Sequence, residues 1–161
     1  MSEKCHLSQL NIARALAPMD SETMSGFMAR LDEINAIADD APGFVWRLQT
    51  EDGDATALRP YPGEDLMLVN MSVWESVDAL FQYTYATDHI EVMRQRRKWF
   101  EHMEVAFFCL WYIPIGHIPT VDEAKARLAY MREHGATPYA FTFKQRFTIE
   151  DMQTYTLETK S

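Results

Sequence analysis

Asn70 interrupts the run Leu66-Met67-Leu68-Val69-Asn70-Met71-Ser72-Val73, which is otherwise almost wholly apolar. An amide buried in such a strand without partners costs about 1–3 kcal/mol. The protein, a water or a ligand must therefore satisfy it. Arg47 poses the same question between Trp46 and Leu48, because a buried cation must be paired. Arg94, Arg96, Arg97 and Lys98 concentrate positive charge in one short segment. On a helix Arg94 and Arg97 share a face, while Arg96 and Lys98 point elsewhere. Such a group can hold a carboxylate or phosphate, or form salt bridges to Glu91, Glu101 and Glu104. His117 follows Gly116 on a loop just after an apolar run. It can serve as acid or base at the mouth of a cleft, or fix its loop against a neighbouring carbonyl. There is no Ser-His-Asp order, phosphate loop or dinucleotide fingerprint in the sequence.

The rest of the composition narrows the function classes. The 161 residues hold 24 Asp and Glu against 15 Lys and Arg, a net charge of -9. Such a surface repels phosphate backbones, so nucleic acid is not an expected partner. The longest apolar stretch, Val105 to Ile115, is far short of the ~20 residues of a membrane span, and no membrane partner is expected. Met1 to His6 carry no apolar segment of the signal-peptide kind. Cys5 and Cys109 suggest neither a disulfide framework nor a zinc site, so a reducing cytoplasm is the expected location and no metal is expected. The ten methionines read as adaptable core filler.

Positioning these residues requires the following elements. Leu10 and Ile12 alternate with polar neighbours, which predicts a strand over Leu7 to Leu16, ended by Pro18. Asp20 or Ser21 can cap a helix whose apolar face is Met24, Phe27, Met28, Leu31, Ile34, Ile37 and Ala38. Pro42-Gly43 stops it. Gly43 to Gln49 is aromatic and β-branched, hence a strand. Glu51 to Asp54 is a turn with an Asp-Gly signature, followed by a loop to Asp65 with a short edge strand near Thr56–Arg59. Leu66 to Val73 is a strand covered on both faces. A helix carries Val77, Leu80, Phe81 and Tyr85, breaks near Ala86-Thr87-Asp88, and resumes from His89 to Phe100. Val105 to Ile113 is the central strand. Thr120-Val121-Asp122-Glu123 is a capping box opening a helix with Val121, Ala124, Leu128 and Met131 buried and Gly135 as its stop. Phe141 to Phe147 forms a short strand or a clasp.

Strand, helix, strand, strand, helix, strand is the split β-α-β order of an α+β, ferredoxin-like antiparallel sheet. The whole chain, 1–161, reads as one domain. Apolar residues of both parities in Leu66–Val73 and Val105–Ile113 favour packing of the sheet against a second copy, a homodimer. The alternative is that the C-terminal helix covers that face in a monomer.

Asn70-Met71-Ser72-Val73-Trp74-Glu75-Ser76-Val77-Asp78-Ala79-Leu80, followed by His89, resembles the strand-to-helix signature of dimeric α/β-barrel proteins, the superfamily of the antibiotic-biosynthesis-monooxygenase-like proteins. Gln9-Leu10-Asn11-Ile12-Ala13, Pro42 to Leu48, Arg97 to Phe100, Leu110 to Pro114, Gly116-His117 and Phe141-Thr142-Phe143 together resemble one bacterial family of uncharacterised domains in that superfamily. The resemblance spans roughly Leu7 to Phe143.

The resemblance implies sites in a cleft between the concave sheet face and the helix pair. In the superfamily's cofactor-free oxygenases an Asn on this strand, a Trp four residues on and an Arg on the next helix line that cleft, matching Asn70, Trp74 and Arg94. A polar amide and a cation there stabilise an enolate or phenolate beside an aromatic wall. The superfamily's Tyr at the helix start is replaced by Leu80. In its haem-degrading members an Asn, a Trp and an axial His surround a haem, matching Asn11, Trp74 and His89. The expected catalytic residues are Asn70, Trp74, Arg94 and His89, and the expected ligand-binding residues are Asn11, Arg47, Tyr85, Trp111 and His117. The reading is a small-molecule-binding protein acting as a cofactor-independent monooxygenase on a small aromatic or enolisable substrate. The alternatives are a haem- or ligand-binding module without turnover, and a structural homodimer whose cleft its own side chains fill.

Overall fold

The computed structural model describes residues 4–49, 58, 60–86 and 94–156. Four strands, β1 (Cys5–Arg14), β2 (Phe44–Arg47), β3 (Met67–Trp74) and β4 (Phe108–Pro114), form an antiparallel sheet in the order β2-β3-β1-β4. Helix α1 (Ser25–Asp40) links β1 to β2, and α2 (Val77–Ala86) follows β3. This is the expected α+β ferredoxin-like arrangement. Among the described residues a 3-10 turn at Arg96–Lys98 precedes β4, and two further helices, α3 (Val121–His134) and α4 (Ile149–Thr154), follow it.

Alternation along the strands divides the core in two. Leu10 and Ile12, Met67 to Val73 at every second position, and Cys109, Trp111 and Ile113 pack with Ala124, Leu128 and Met131 of α3. Leu58 and Tyr61 join that layer from the loop before β3. Leu7, Trp74 and Leu110 face the other way, against Ala38 of α1 and Leu80 and Tyr83 of α2. The two-sided apolarity of β3 and β4 thus has its cause within one chain. The homodimer expected from the sequence loses the open sheet face that motivated it.

The ends of α3 follow their signals. The Thr120 hydroxyl accepts the Glu123 N–H at 3.1 Å, and Gly135 closes the helix at φ +77°, a region that L side chains rarely adopt. The reciprocal half of the capping box is missing, because the Glu123 carboxylate bonds Trp111 and His117 instead. Helix α1 starts at Ser25 with no side-chain cap. Ser21 instead accepts the Met24 N–H at 3.4 Å in a preceding turn. The fourth strand begins at Phe108 rather than Val105.

After α3 the chain crosses the β4 edge. Leu110 and Phe141 exchange backbone hydrogen bonds of 2.7 and 2.9 Å, and the Tyr112 hydroxyl donates to the Phe147 carbonyl at 2.7 Å. Phe141 to Phe147 is thus a clasp that brings Phe143 against Phe81 of α2. The turn at Glu51–Asp54 lies outside the described residues, as does the edge strand near Thr56–Arg59 apart from Leu58. Among the described residues no helix is long and apolar enough to cross a membrane.

Candidate functional site

Between α1, α2 and the sheet lies an open cavity of about 690 Å³, within the range of small-molecule sites. Its floor is a polar ladder across β1 and β3. Asn11 pairs with Asn70 and Gln9 with Ser72 in the antiparallel register, so all four project to the helix face. Gln9 Nε2 donates to Asn70 Oδ1 at 2.7 Å and to Ser72 Oγ at 2.8 Å. The Trp74 indole N–H also donates to Ser72 Oγ at 2.8 Å.

This arrangement answers the question that Asn70 poses. Its neighbours Val69 and Met71 are buried, yet Asn70 itself is exposed, and the space that exposes it is the cavity. Gln9 occupies its oxygen, so among the described residues the two amide N–H donors have no partner. Asn11 Oδ1 beside it is buried and unpartnered among the described residues.

Arg47 reaches the same cavity because of a register shift between Phe44 and Trp46. With this irregularity at Val45, Phe44 packs on the helix face, Trp46 packs on the other, and Arg47 returns to the helix face. Asp39 of α1 then pairs with it, at 2.8 Å from Nε and 3.4 Å from Nη2.

The walls are aromatic. Phe27, Phe100, Phe107, Phe108 and Phe143 line the cavity, with Tyr85 at 44% exposure. Tyr83 is buried against Trp74 at 5.0 Å between ring centroids, and its hydroxyl donates to the Ile34 carbonyl at 3.3 Å. Burial pushes its pKa well above the usual tyrosine value, with Arg47 opposing and Asp39 reinforcing the rise. Arg96 lines the cavity half-buried, with its guanidinium 4.6 Å from the centre of the Phe107 ring. Burial lowers its pKa below the usual arginine value.

Of the expected site residues, the fold brings Asn11, Arg47, Asn70, Trp74 and Tyr85 to one cavity. Trp74 is only 1% exposed, with Phe44 meeting it edge-to-face and Tyr83 lying tilted against it. It buttresses the floor and positions Ser72 rather than offering a face to a ligand. Arg94 is exposed and is not among the lining residues. His89 lies outside the described residues.

Trp111 and His117 belong elsewhere. Trp111 is buried on the α3 face, where its indole donates to Glu123 at 3.0 Å. Odd positions of β4 face α3 and even positions face the layer of α1 and α2, so Trp111 cannot reach the cavity. His117 pairs with Glu123 at 2.7 Å on that same side. Burial alone would raise the Glu123 pKa. The hydrogen bonds from His117 and Trp111, with the charges of His117 and Arg127, outweigh it and hold the carboxyl below its ordinary value.

The residues that the sequence reading missed are Gln9 and Arg96 as individual players. Gln9 carried a signal, since a polar residue two positions before Asn11 shares its strand face. Arg96 carried none beyond its place in the basic cluster, because its surroundings come from distant aromatics.

Among the described lining residues there is no Asp, Glu, His or Cys. The described lining therefore supplies no imidazole for a haem. No cluster of three or more His, Cys, Asp or Glu suited to a metal occurs among the described residues.

The fold is similar to solved structures at low identity. One is SnoaB from Streptomyces nogalater, a cofactor-independent oxygenase, with 18% identity, a TM-score of 0.48, 72% of this chain covered and 99% of that one. Another is PA3566 from Pseudomonas aeruginosa, with 12% identity, a TM-score of 0.46, 71% of this chain and 96% of that one. Among curated proteins none matches. Residues 6–157 match a single family along nearly the whole chain, and the protein belongs to that family, described as a domain of unknown function (DUF3291).

Proposed function

We propose that this protein binds a small, flat, largely apolar molecule on the helix face of its sheet and oxygenates it without a cofactor. The observation that carries the reading is the Asn70 amide. It sits in a strand whose other residues are buried, its oxygen is held by Gln9, and its N–H donors are left to whatever the cavity holds. Such donors stabilise negative charge developing on an enolate or phenolate oxygen. The aromatic walls orient a flat ring.

A quinol suits this chemistry because it supplies every electron itself. Deprotonated at one hydroxyl, it gives electrons to dioxygen. One oxygen atom bonds to a ring carbon, the O–O bond breaks, and the second atom leaves as water. Quinol plus dioxygen becomes hydroxyquinone plus water, with no external reductant. The described lining offers no carboxylate or imidazole as base, so the favoured substrate ionises readily on its own.

The test is incubation with 1,4-naphthohydroquinone under labelled dioxygen. Oxygen uptake above the uncatalysed rate, with one labelled atom in a hydroxynaphthoquinone, is the expected result. Asn70→Ala should lower the rate by about 10²-fold, the scale for loss of one donor to an oxyanion. Production of naphthoquinone and peroxide at only the background rate would overturn the oxygenase reading. Binding without such uptake would leave a ligand-binding module, which the same cavity supports.

A further inference from the structure

Among the described residues the lining of the cavity is charged in one sense only. Although acidic residues outnumber basic ones by 24 to 15, the described lining holds no carboxylate and four cations, Arg30, Arg47, Arg96 and Lys144. Arg30 is answered by Glu33 at 3.3 Å and Arg47 by Asp39 at 2.8 Å. Lys144 is exposed at the rim. Arg96 is different. It is half-buried, its Nη2 is sealed from solvent, and no described residue accepts a hydrogen bond from it or pairs with it. The carboxylate of Glu101, close by in sequence, is taken by Arg14.

Arg96 is held in place by backbone rather than by charge. Its carbonyl accepts the Phe100 N–H at 2.9 Å. The segment that follows extends the sheet, with the Leu16 N–H on the Trp99 carbonyl and the Glu101 N–H on the Arg14 carbonyl, both at 2.8 Å. Phe107 and Phe100, 4.6 and 5.6 Å from the guanidinium, give it aromatic faces. Such faces attract a cation, but they supply no counter-charge, and a half-buried cation without one is costly.

We infer that the ligand is a planar aromatic anion whose carboxylate supplies the counter-charge to Arg96 while its ring lies among Phe100, Phe107, Phe108 and Phe143. This rests on the small-molecule reading of the same cavity and names its ligand class. Arg96 suits the task because a charge-assisted hydrogen bond from a guanidinium to a carboxylate is about twice as strong as a neutral one.

The test is calorimetric binding of 2-naphthoate and its neutral isostere 2-naphthamide to the full chain at neutral pH, where the acid is ionised. Wild type should bind naphthoate about ten-fold or more tighter than the amide, the scale of one charge-assisted contact. Arg96→Gln should bring the two within about two-fold, chiefly by weakening naphthoate binding. The variant's melting temperature should fall little, since among the described residues no carboxylate pairs with the guanidinium and only its contacts with Phe100 and Phe107 are lost. Arg96→Met, which keeps an unbranched stem against Phe107, takes its place if the Gln variant does not fold. Equal binding of both probes by wild type would overturn the inference and leave the cavity reading standing. A preference that survives in both Arg96 variants would overturn it as well. Binding of neither probe would overturn the cavity reading and this inference with it.

Discussion

With its oxygen held by Gln9, the Asn70 side chain is both exposed to the cavity and fixed in orientation. The two residues should therefore separate function from stability. Asn70→Ala removes one part-buried hydrogen bond and should cost about 1 kcal/mol or less in urea unfolding, while abolishing most of the turnover. Gln9→Leu takes a donor from both Asn70 and buried Ser72, and should cost about 1–3 kcal/mol as well as activity. Equal stability losses for the two would show that Asn70 is merely structural. At Glu123 the expectation concerns pH. Its carboxyl is held below its ordinary value in the folded state, so its pairing stabilises the fold above the unfolded value of about 4.5. That stability is lost as pH falls through the lower folded value. Glu123→Gln should flatten the acid limb of a stability-against-pH curve below about pH 5. An unchanged limb would show that other carboxylates carry it. Among the individual residues, Arg47 and Asn70 were legible as polar groups in apolar strands, and Asn11 through the family resemblance. The sequence offered no comparable sign that Trp111 and His117 would meet at Glu123 on the far face, because that meeting depends on where α3 lies.

At the scale of elements, the turn from α1 into β2 is packed closely against α2. Gly43 sits at φ +83°, its carbonyl accepts the Glu75 N–H at 2.7 Å, and a Cβ there would lie 2.5 Å from that of Ala79 in α2. Gly43→Ala must therefore move α2 as well as strain the turn. Gly63 has the same φ with nothing within 4 Å, so Gly63→Ala reports strain alone, about 1 kcal/mol. Thermal melts should show Gly43→Ala as the more destabilised, and equal losses would show that α2 gives way freely. The clasp has its own measure. Phe141 is fully buried against Tyr112 and Phe147, so Phe141→Ala should cost about 3–5 kcal/mol in urea unfolding. A loss under about 1 kcal/mol would mean that the clasp is not part of the core. The termini of α3 were readable from Thr120 and Gly135, since capping and left-handed stops are local chemistry. The register shift at Val45 was not, because it is set by how β2 must meet β3.

For the molecule as a whole, helices cover both faces of the sheet and the clasp covers the β4 edge. The sheet face that the sequence suggested for a second copy is occupied by α3. Light scattering should give a mass near 18.7 kDa, and twice that mass would place a dimer contact on some other surface. The sequence by itself determined the order of elements and the split β-α-β fold, because strand alternation, helical periodicity and capping are written in neighbouring residues. It also determined that Asn70 and Arg47 would need partners, since burial of a polar group has a cost whatever surrounds it. The tertiary structure alone decided which face each strand residue joined and that Gln9 orients Asn70. It alone placed Arg96 among aromatics, with no carboxylate beside it among the described residues. Those outcomes depend on contacts between residues tens of positions apart, where register, a bulge and the path of α3 settle what no local pattern encodes.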